Sequence, residues 1–188
     1  MKFVLTALAL ALGFAAAGHA DAPPPPAPDV VDTSFVGPSG QRTLQESIVI
    51  AAPVHTLWQA FVDPAQFKRW DAPVMAIDLR VGGTLEATYD PAKPIGDPDN
   101  IKHRILTWLP DRLLVFQNFQ APHGLPHADA FQRTVTVVLY EPLSPTSTRV
   151  TIACTGWAND AASNDLYGFF QHDNAELLEK MKSVYEGK

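Results

Sequence analysis

The chain has 188 residues, 14 Lys and Arg against 20 Asp and Glu, a formal charge of −6, 46% hydrophobic residues and a single cysteine. A mildly acidic chain without a basic run has no electrostatic pull toward nucleic acid or an anionic membrane surface. One cysteine, Cys154, excludes an internal disulfide framework, and its place late in the chain excludes a lipid-anchored cysteine at an N-terminal cleavage point.

Residues 1–20 read as a signal peptide. Met1-Lys2 give a short basic start, and Phe3 to Ala17 form an apolar run with one hydroxyl, Thr6. The run is about 15 residues, short of the ~20 that span a bilayer as a stable helix. Gly18-His19-Ala20 and Ala20-Asp21-Ala22 both offer the small side chains that a signal peptidase reads, so two cleavage points stay open. The expected location is periplasmic or secreted, with no integral membrane segment after cleavage. Residues 21–42 are expected to be a spacer and mobile lead-in. Ala22 to Pro28 favour a semi-rigid polyproline II conformation, and Gly37-Pro38-Ser39-Gly40 closes the segment.

The domain is expected over residues 43–188. Thr43 to Ile50 alternates, with Leu44, Ile48 and Ile50 on one face and Glu46 among them, which predicts a strand. Pro53 suits a helix's first turn, and Val54, Leu57, Trp58, Phe61 and Val62 follow at helical spacing. Asp63-Pro64 stops that helix and starts a second short one, Ala65 to Trp70. Strands are then predicted over Val74–Arg80, Thr84–Tyr89, Ile101–Trp108, Leu113–Phe119, Phe131–Tyr140 and Thr148–Trp157. Gly82-Gly83, the loop Pro91 to Asn100, Pro110-Asp111 and Pro142 to Pro145 punctuate them. From Asn164, with Asn164 or Ser163 as cap, the period changes. Leu166, Tyr167, Phe170, Leu177, Leu178, Met181, Val184 and Tyr185 make one apolar stripe along a helix of about 22 residues. Such a helix buries its stripe only against the sheet, which gives an α+β helix-grip layout with six to seven antiparallel strands.

The run Ile48 to Pro64, with Ala52-Pro53, Leu57-Trp58-Gln59-Ala60-Phe61 and Asp63-Pro64, resembles the opening of START-like SRPBCC-superfamily proteins. Asp78-Leu79-Arg80-Val81-Gly82-Gly83 is similar to a turn of the branch named after the activator of heat-shock-protein-90 ATPase. So is the strand start Pro110-Asp111-Arg112-Leu113, and so is Thr148 to Ile152 running to Gly156-Trp157. The resemblance spans roughly residues 43–186. It implies a curved sheet gripping the last helix with a cavity between them. It also implies ligands such as lipids, sterols or polyketides, with cyclases and hydrolases among the members.

The site residues follow from polar groups inside apolar patterns. His103 shares a phase with Ile101 and Ile105, and Gln117 one with Leu113, Val115 and Phe119. Asn174 falls on the stripe of the last helix. A buried polar group without a partner costs roughly 1–3 kcal/mol, so these three are expected to contact a ligand in a mainly apolar pocket. Trp58, Tyr89 and Phe170 complete the expected ligand wall, although Trp58, Phe61 and Trp70 also suit closing the sheet's open end. His103 with Glu86 or Tyr89 is the one acid–base pair worth testing. His123-Gly124-Leu125-Pro126-His127, with Asp129 and with His172-Asp173, has the ligand types of a metal site. Gly124 and Pro126 make that segment a loop, so no metal is expected. No phosphate loop or nucleophile elbow occurs, and no cofactor or catalytic residue is assigned. The expected function is binding of a hydrophobic small molecule. The alternatives are a cyclase- or hydrolase-like enzyme, and a protein-interaction module with an unknown partner.

Overall fold

One antiparallel sheet of nine strands organises the described residues. The computed structural model describes residues 29–122 and 124–187. The predicted signal peptide, the Ala22–Pro28 run and His123 lie outside the described residues. The strands are β1 (Val31–Asp32), β2 (Phe35–Val36), β3 (Arg42–Ile50), β4 (Val74–Ile77), β5 (Thr84–Thr88), β6 (Ile101–Leu109), β7 (Leu113–Gln120), β8 (Val135–Ser144) and β9 (Ser147–Trp157). The helices are α1 (Val54–Val62), α2 (Pro64–Phe67), α3 (Ala128–Gln132) and α4 (Ala161–Glu186). The sheet order is β1-β3-β9-β8-β7-β6-β5-β4, with β2 also on β3. The first long strand therefore pairs with the last, and α4 lies against the sheet between them. This is the helix-grip architecture that the hydrophobic pattern predicts.

The sheet exceeds the predicted six to seven strands because the lead-in is not free. β1 and β2 pair with the outer edge of β3 (Val31↔Ser47, Phe35↔Thr43). An uncovered strand edge exposes a row of unpaired N–H and C=O groups, and the lead-in satisfies them. It is also tied to α4, with Gln171 Nε2 donating to Asp32 Oδ2 at 2.6 Å and Lys182 Nζ lying 3.2 Å from Asp29.

Other boundaries shift for local reasons. β4 ends at Ile77, because the Arg80 amide turns back to the Asp78 carbonyl. At Gly83 a Cβ would sit 2.0 Å from the Asp78 carbonyl oxygen, so only glycine fits this close approach. Phe131 and Gln132, predicted to begin the strand that follows Leu113–Phe119, lie in α3 instead, and Thr134 closes it by donating its hydroxyl to the Phe131 carbonyl at 2.7 Å. α4 starts three residues before Asn164. Asp160 is its cap, accepting from the Ser163 amide at 2.7 Å.

The core fills in two parts. Trp58 packs edge-on to Tyr140 (5.7 Å between centroids) and near Trp108 (6.4 Å), under α1. Phe61, Phe67 and Trp70 pack on one another and close the end of the sheet, with the Trp70 indole N–H bonded to the Ala60 carbonyl at 2.9 Å. No helix among the described residues is long and apolar enough to cross a membrane.

Candidate functional site: a cavity between sheet and helix

The concave face of the sheet and the inner face of α4 leave a cavity of about 350 Å³, in the range of small-molecule pockets. Strands β5 to β9 supply Leu85, Ile101, Phe116, Val138, Ile152 and Trp157 to one wall, and α3 and α4 supply Phe131, Phe170 and Leu177 to the other. Phe131 and Phe170 stack at 5.9 Å, and Phe170 lies 6.0 Å from Trp157, so one side of the cavity is a continuous aromatic surface.

His103 enters this cavity because β6 is bulged. The register with β7 shifts between Lys102 and His103 and again between Ile105 and Thr107, and a bulge re-aims the side chains beside it. His103 then faces Asn118 directly across the ladder. Asn118 Nδ2 donates to Thr134 Oγ1 at 2.6 Å, and Thr134's own hydroxyl is committed to the Phe131 carbonyl. This direction of donation leaves the Asn118 Oδ1 as acceptor, so the proton on His103 sits on Nδ1, 2.5 Å away. Burial pushes the His103 pKa down to about 4, against a smaller opposing effect of the Asn118 bond. At neutral pH the ring is uncharged, and Nε2 carries its free lone pair. Among the described residues nothing bonds Nε2, and it is not sealed from solvent-sized space as the Tyr140 hydroxyl and His172 Nδ1 are.

A second polar group lies on the opposite wall. Asn174 is 6% exposed, with Nδ2 3.9 Å from Cys154 Sγ, and Thr136 Oγ1 lies 3.5 Å from the same sulfur. Burial raises the Cys154 pKa, which keeps the thiol protonated and unreactive. At the solvent side the Tyr89 hydroxyl donates to Asp71 Oδ1 at 2.7 Å. Burial lifts the Asp71 pKa to about 6, Tyr89 and Lys180 oppose the rise, and Asp173 adds to it. Asp173 also lines the cavity and is raised by burial and by Glu176.

Of the six residues expected from the sequence, His103, Asn174, Tyr89 and Phe170 meet in this cavity. Gln117 does not. β7 buries Leu114, Phe116 and Asn118, so Gln117 sits on the outer face with its amide 3.4 Å from the Gln132 carbonyl. Trp58 does not either, being packed in the core beside Tyr140 and Trp108. The expected pairing of His103 with Glu86 or Tyr89 is also absent. Glu86 Oε1 instead accepts from the Gly96 amide at 2.6 Å and from Asn100 Nδ2 at 2.7 Å, pinning the loop after β5. Arg80 pairs with Asp78 at 2.7 Å on the surface. His127 bonds Asp165 at 3.2 Å and His172 lies 3.4 Å from Glu176. Among the described residues no three His, Cys, Asp or Glu side chains converge on a common point.

Sequence reasoning missed Asn118 and Thr134. The dipeptide Gln117-Asn118 held the signal, since one of two adjacent amides on a strand must face inward. It also missed the isolation of Glu46, which is fully buried with both carboxylate oxygens unpartnered.

Solved structures with this fold include a protein of Mesorhizobium loti (20% identity, TM-score 0.63, covering 78% of this chain and 98% of that one). The Aha1 dimer of Colwellia psychrerythraea is also similar (17%, 0.59, 78% and 98%). So is norcoclaurine synthase of Thalictrum flavum, solved with dopamine and hydroxybenzaldehyde (14%, 0.54, 79% and 88%). No curated protein matches. Residues 51–186 match the family described as Activator of Hsp90 ATPase homolog 1-like protein, and the chain belongs to that family.

Proposed function

We propose that this is an exported protein that binds a hydrophobic small molecule in the cavity between the sheet and α4. The observation that carries the reading is an aromatic-walled space of about 350 Å³ holding a few fixed polar groups. Similarity of fold to a plant protein solved with two small aromatic compounds supports it. The environment of His103 favours binding over acid–base turnover. A histidine acting as a general base needs its imidazolium stabilised, usually by a carboxylate behind Nδ1. Here the group behind Nδ1 is the uncharged amide of Asn118, and the ring resists protonation. His103 is thus a hydrogen-bond acceptor rather than a proton carrier.

The test is saturable uptake of the uncharged fluorophore N-phenyl-1-naphthylamine, alongside native mass spectrometry of protein taken from its own cells. Leu177→Trp fills the cavity from the α4 side and is expected to abolish uptake while the protein stays folded. Uptake that is absent in the parent, or unchanged in Leu177→Trp, refutes the reading. Export is checked separately: the mature N-terminus is expected at Asp21 or Pro23.

A further inference from the structure

The hydrogen-bond chain behind His103 fixes which kind of polar atom it presents to the cavity. On the buried side the Thr134 hydroxyl proton is committed to the Phe131 carbonyl, one Asn118 amide proton to Thr134, and the His103 Nδ1 proton to Asn118. The relay runs in one direction and ends at His103 Nε2, an acceptor with no partner among the described residues. Across from it, Asn174 turns its Nδ2 toward Cys154 and has its Oδ1 left over. An acceptor that faces an apolar cavity depends on what enters that cavity for a donor, and a ligand's O–H supplies one.

Charge narrows the class further. Among the described residues no Lys or Arg lines the cavity, whereas Asp71 and Asp173 do. A carboxylate or phosphate headgroup would be buried beside a lone pair and near two acidic groups, with no cation to offset it. An ammonium finds partners only at Asp71 and Asp173 on the solvent side, where water weakens such a pair. Rigid aromatic rings make up much of the wall, with Phe116 4.7 Å from the His103 ring and Phe131 stacked on Phe170, among aliphatic side chains such as Leu85, Val138 and Leu177.

We propose that the cavity selects an uncharged ring compound bearing a hydroxyl group, a phenol or alicyclic alcohol, whose O–H donates to His103 Nε2. The proposal rests on the cavity-binding reading, names its ligand class, and sets aside fatty acids and other anionic lipids.

The experiment is competition against N-phenyl-1-naphthylamine at pH 7 on the mature protein. The four competitors are 2-naphthol, 2-methoxynaphthalene, 2-naphthoate and 2-naphthylmethylamine. They share one ring system and differ in what the polar atom donates and carries. Naphthol is expected to compete at about tenfold lower concentration than its methyl ether, since a site built to bond a hydroxyl rejects the analogue lacking its proton. Naphthoate is expected to be the weakest. In His103→Phe the advantage of the alcohol over the ether should shrink to within about twofold, whatever the variant's own affinity for the probe. A readout that needs no variant is the 15N resonance of His103 Nε2, which should move upfield on adding naphthol and stay put on adding the ether. Equal binding of naphthol and ether by the parent overturns the proposal and leaves the cavity reading standing, as does strongest binding by the anion or the amine. If the probe itself does not bind, the cavity reading fails first.

Discussion

Glu46 and His103 are ionisable groups held away from water without an opposite charge, and they make folding stability depend on pH in opposite senses. Burial, with a smaller push from Asp32, raises the Glu46 pKa from 4.5 to about 8. Its folded form holds a proton that the unfolded chain releases, so its contribution is full below pH 4.5 and is lost as pH rises through 8. His103 is the reverse case. Its folded pKa of about 4 lies below the 6.5 of a free ring, so stability is lost as pH falls from 6.5 toward 4. Asp71, raised to about 6, has already lost its contribution above that pH. The window between 6.5 and 8 therefore isolates Glu46. In that window the parent's unfolding free energy, measured by urea titration, should fall by on the order of 1–3 kcal/mol, while Glu46→Gln stays level. Parallel curves for the two proteins would show that Glu46 ionises normally. Glu46 was visible in the sequence as the polar residue in phase with Leu44 and Ile48, but its lack of a partner depends on what α4 and β1 place over it.

The strands divide into those whose pattern names a face and those whose pattern does not. β3 alternates cleanly and was read in the right phase. β7 carries apolar residues on both phases, Leu113-Leu114-Val115-Phe116, so periodicity alone does not choose between Gln117 and Asn118. The choice is made by pairing: Asn118 lies opposite His103, and its backbone amide bonds the Thr134 carbonyl at 3.1 Å. Exchanging the two positions tests this. Asn118→Ala should cost about 1–3 kcal/mol, because it orphans both the His103 Nδ1 proton and the Thr134 oxygen. Gln117→Ala should stay within about 0.5 kcal/mol and leave probe uptake unchanged. Equal effects would place the relay elsewhere. At the end of β9, Gly156 has φ +89° and a Cβ there would sit 2.3 Å from the Arg133 carbonyl oxygen. Gly156→Ala should therefore lose more than about 1 kcal/mol in a denaturant titration, and a neutral result would mean that β9 does not approach Arg133 so closely.

For the molecule as a whole, the order strand, two short helices, meander and long helix was readable because most of these elements are long enough to show a period and Asp63-Pro64 marks the start of the short α2. The lead-in was not, since β1 and β2 span two residues each and a two-residue strand has no period to detect. Its structure comes from the partner it covers. Removing residues 29–37 should uncover the β3 edge and cut the ties from Asp29 and Asp32 to α4. Amide hydrogen exchange along Gln45–Ser47 should then speed up strongly, with β6 and β7 little changed. Unaltered protection in β3 would mean that the lead-in only rests on the edge.

The pairing of β3 with β9 also has a consequence in time. β4 to β8 are neighbours both in sequence and in the sheet, so they can pair by closing short loops. β3 waits for a partner that begins at Ser147, and the cavity gains its second wall only when α4 follows. Contacts between distant parts of the chain slow folding, because the loop between them must close before they stabilise anything. Until α4 docks, the aromatic face that lines the cavity stands open to water, and a chain truncated before α4 would keep that face with nothing to close it.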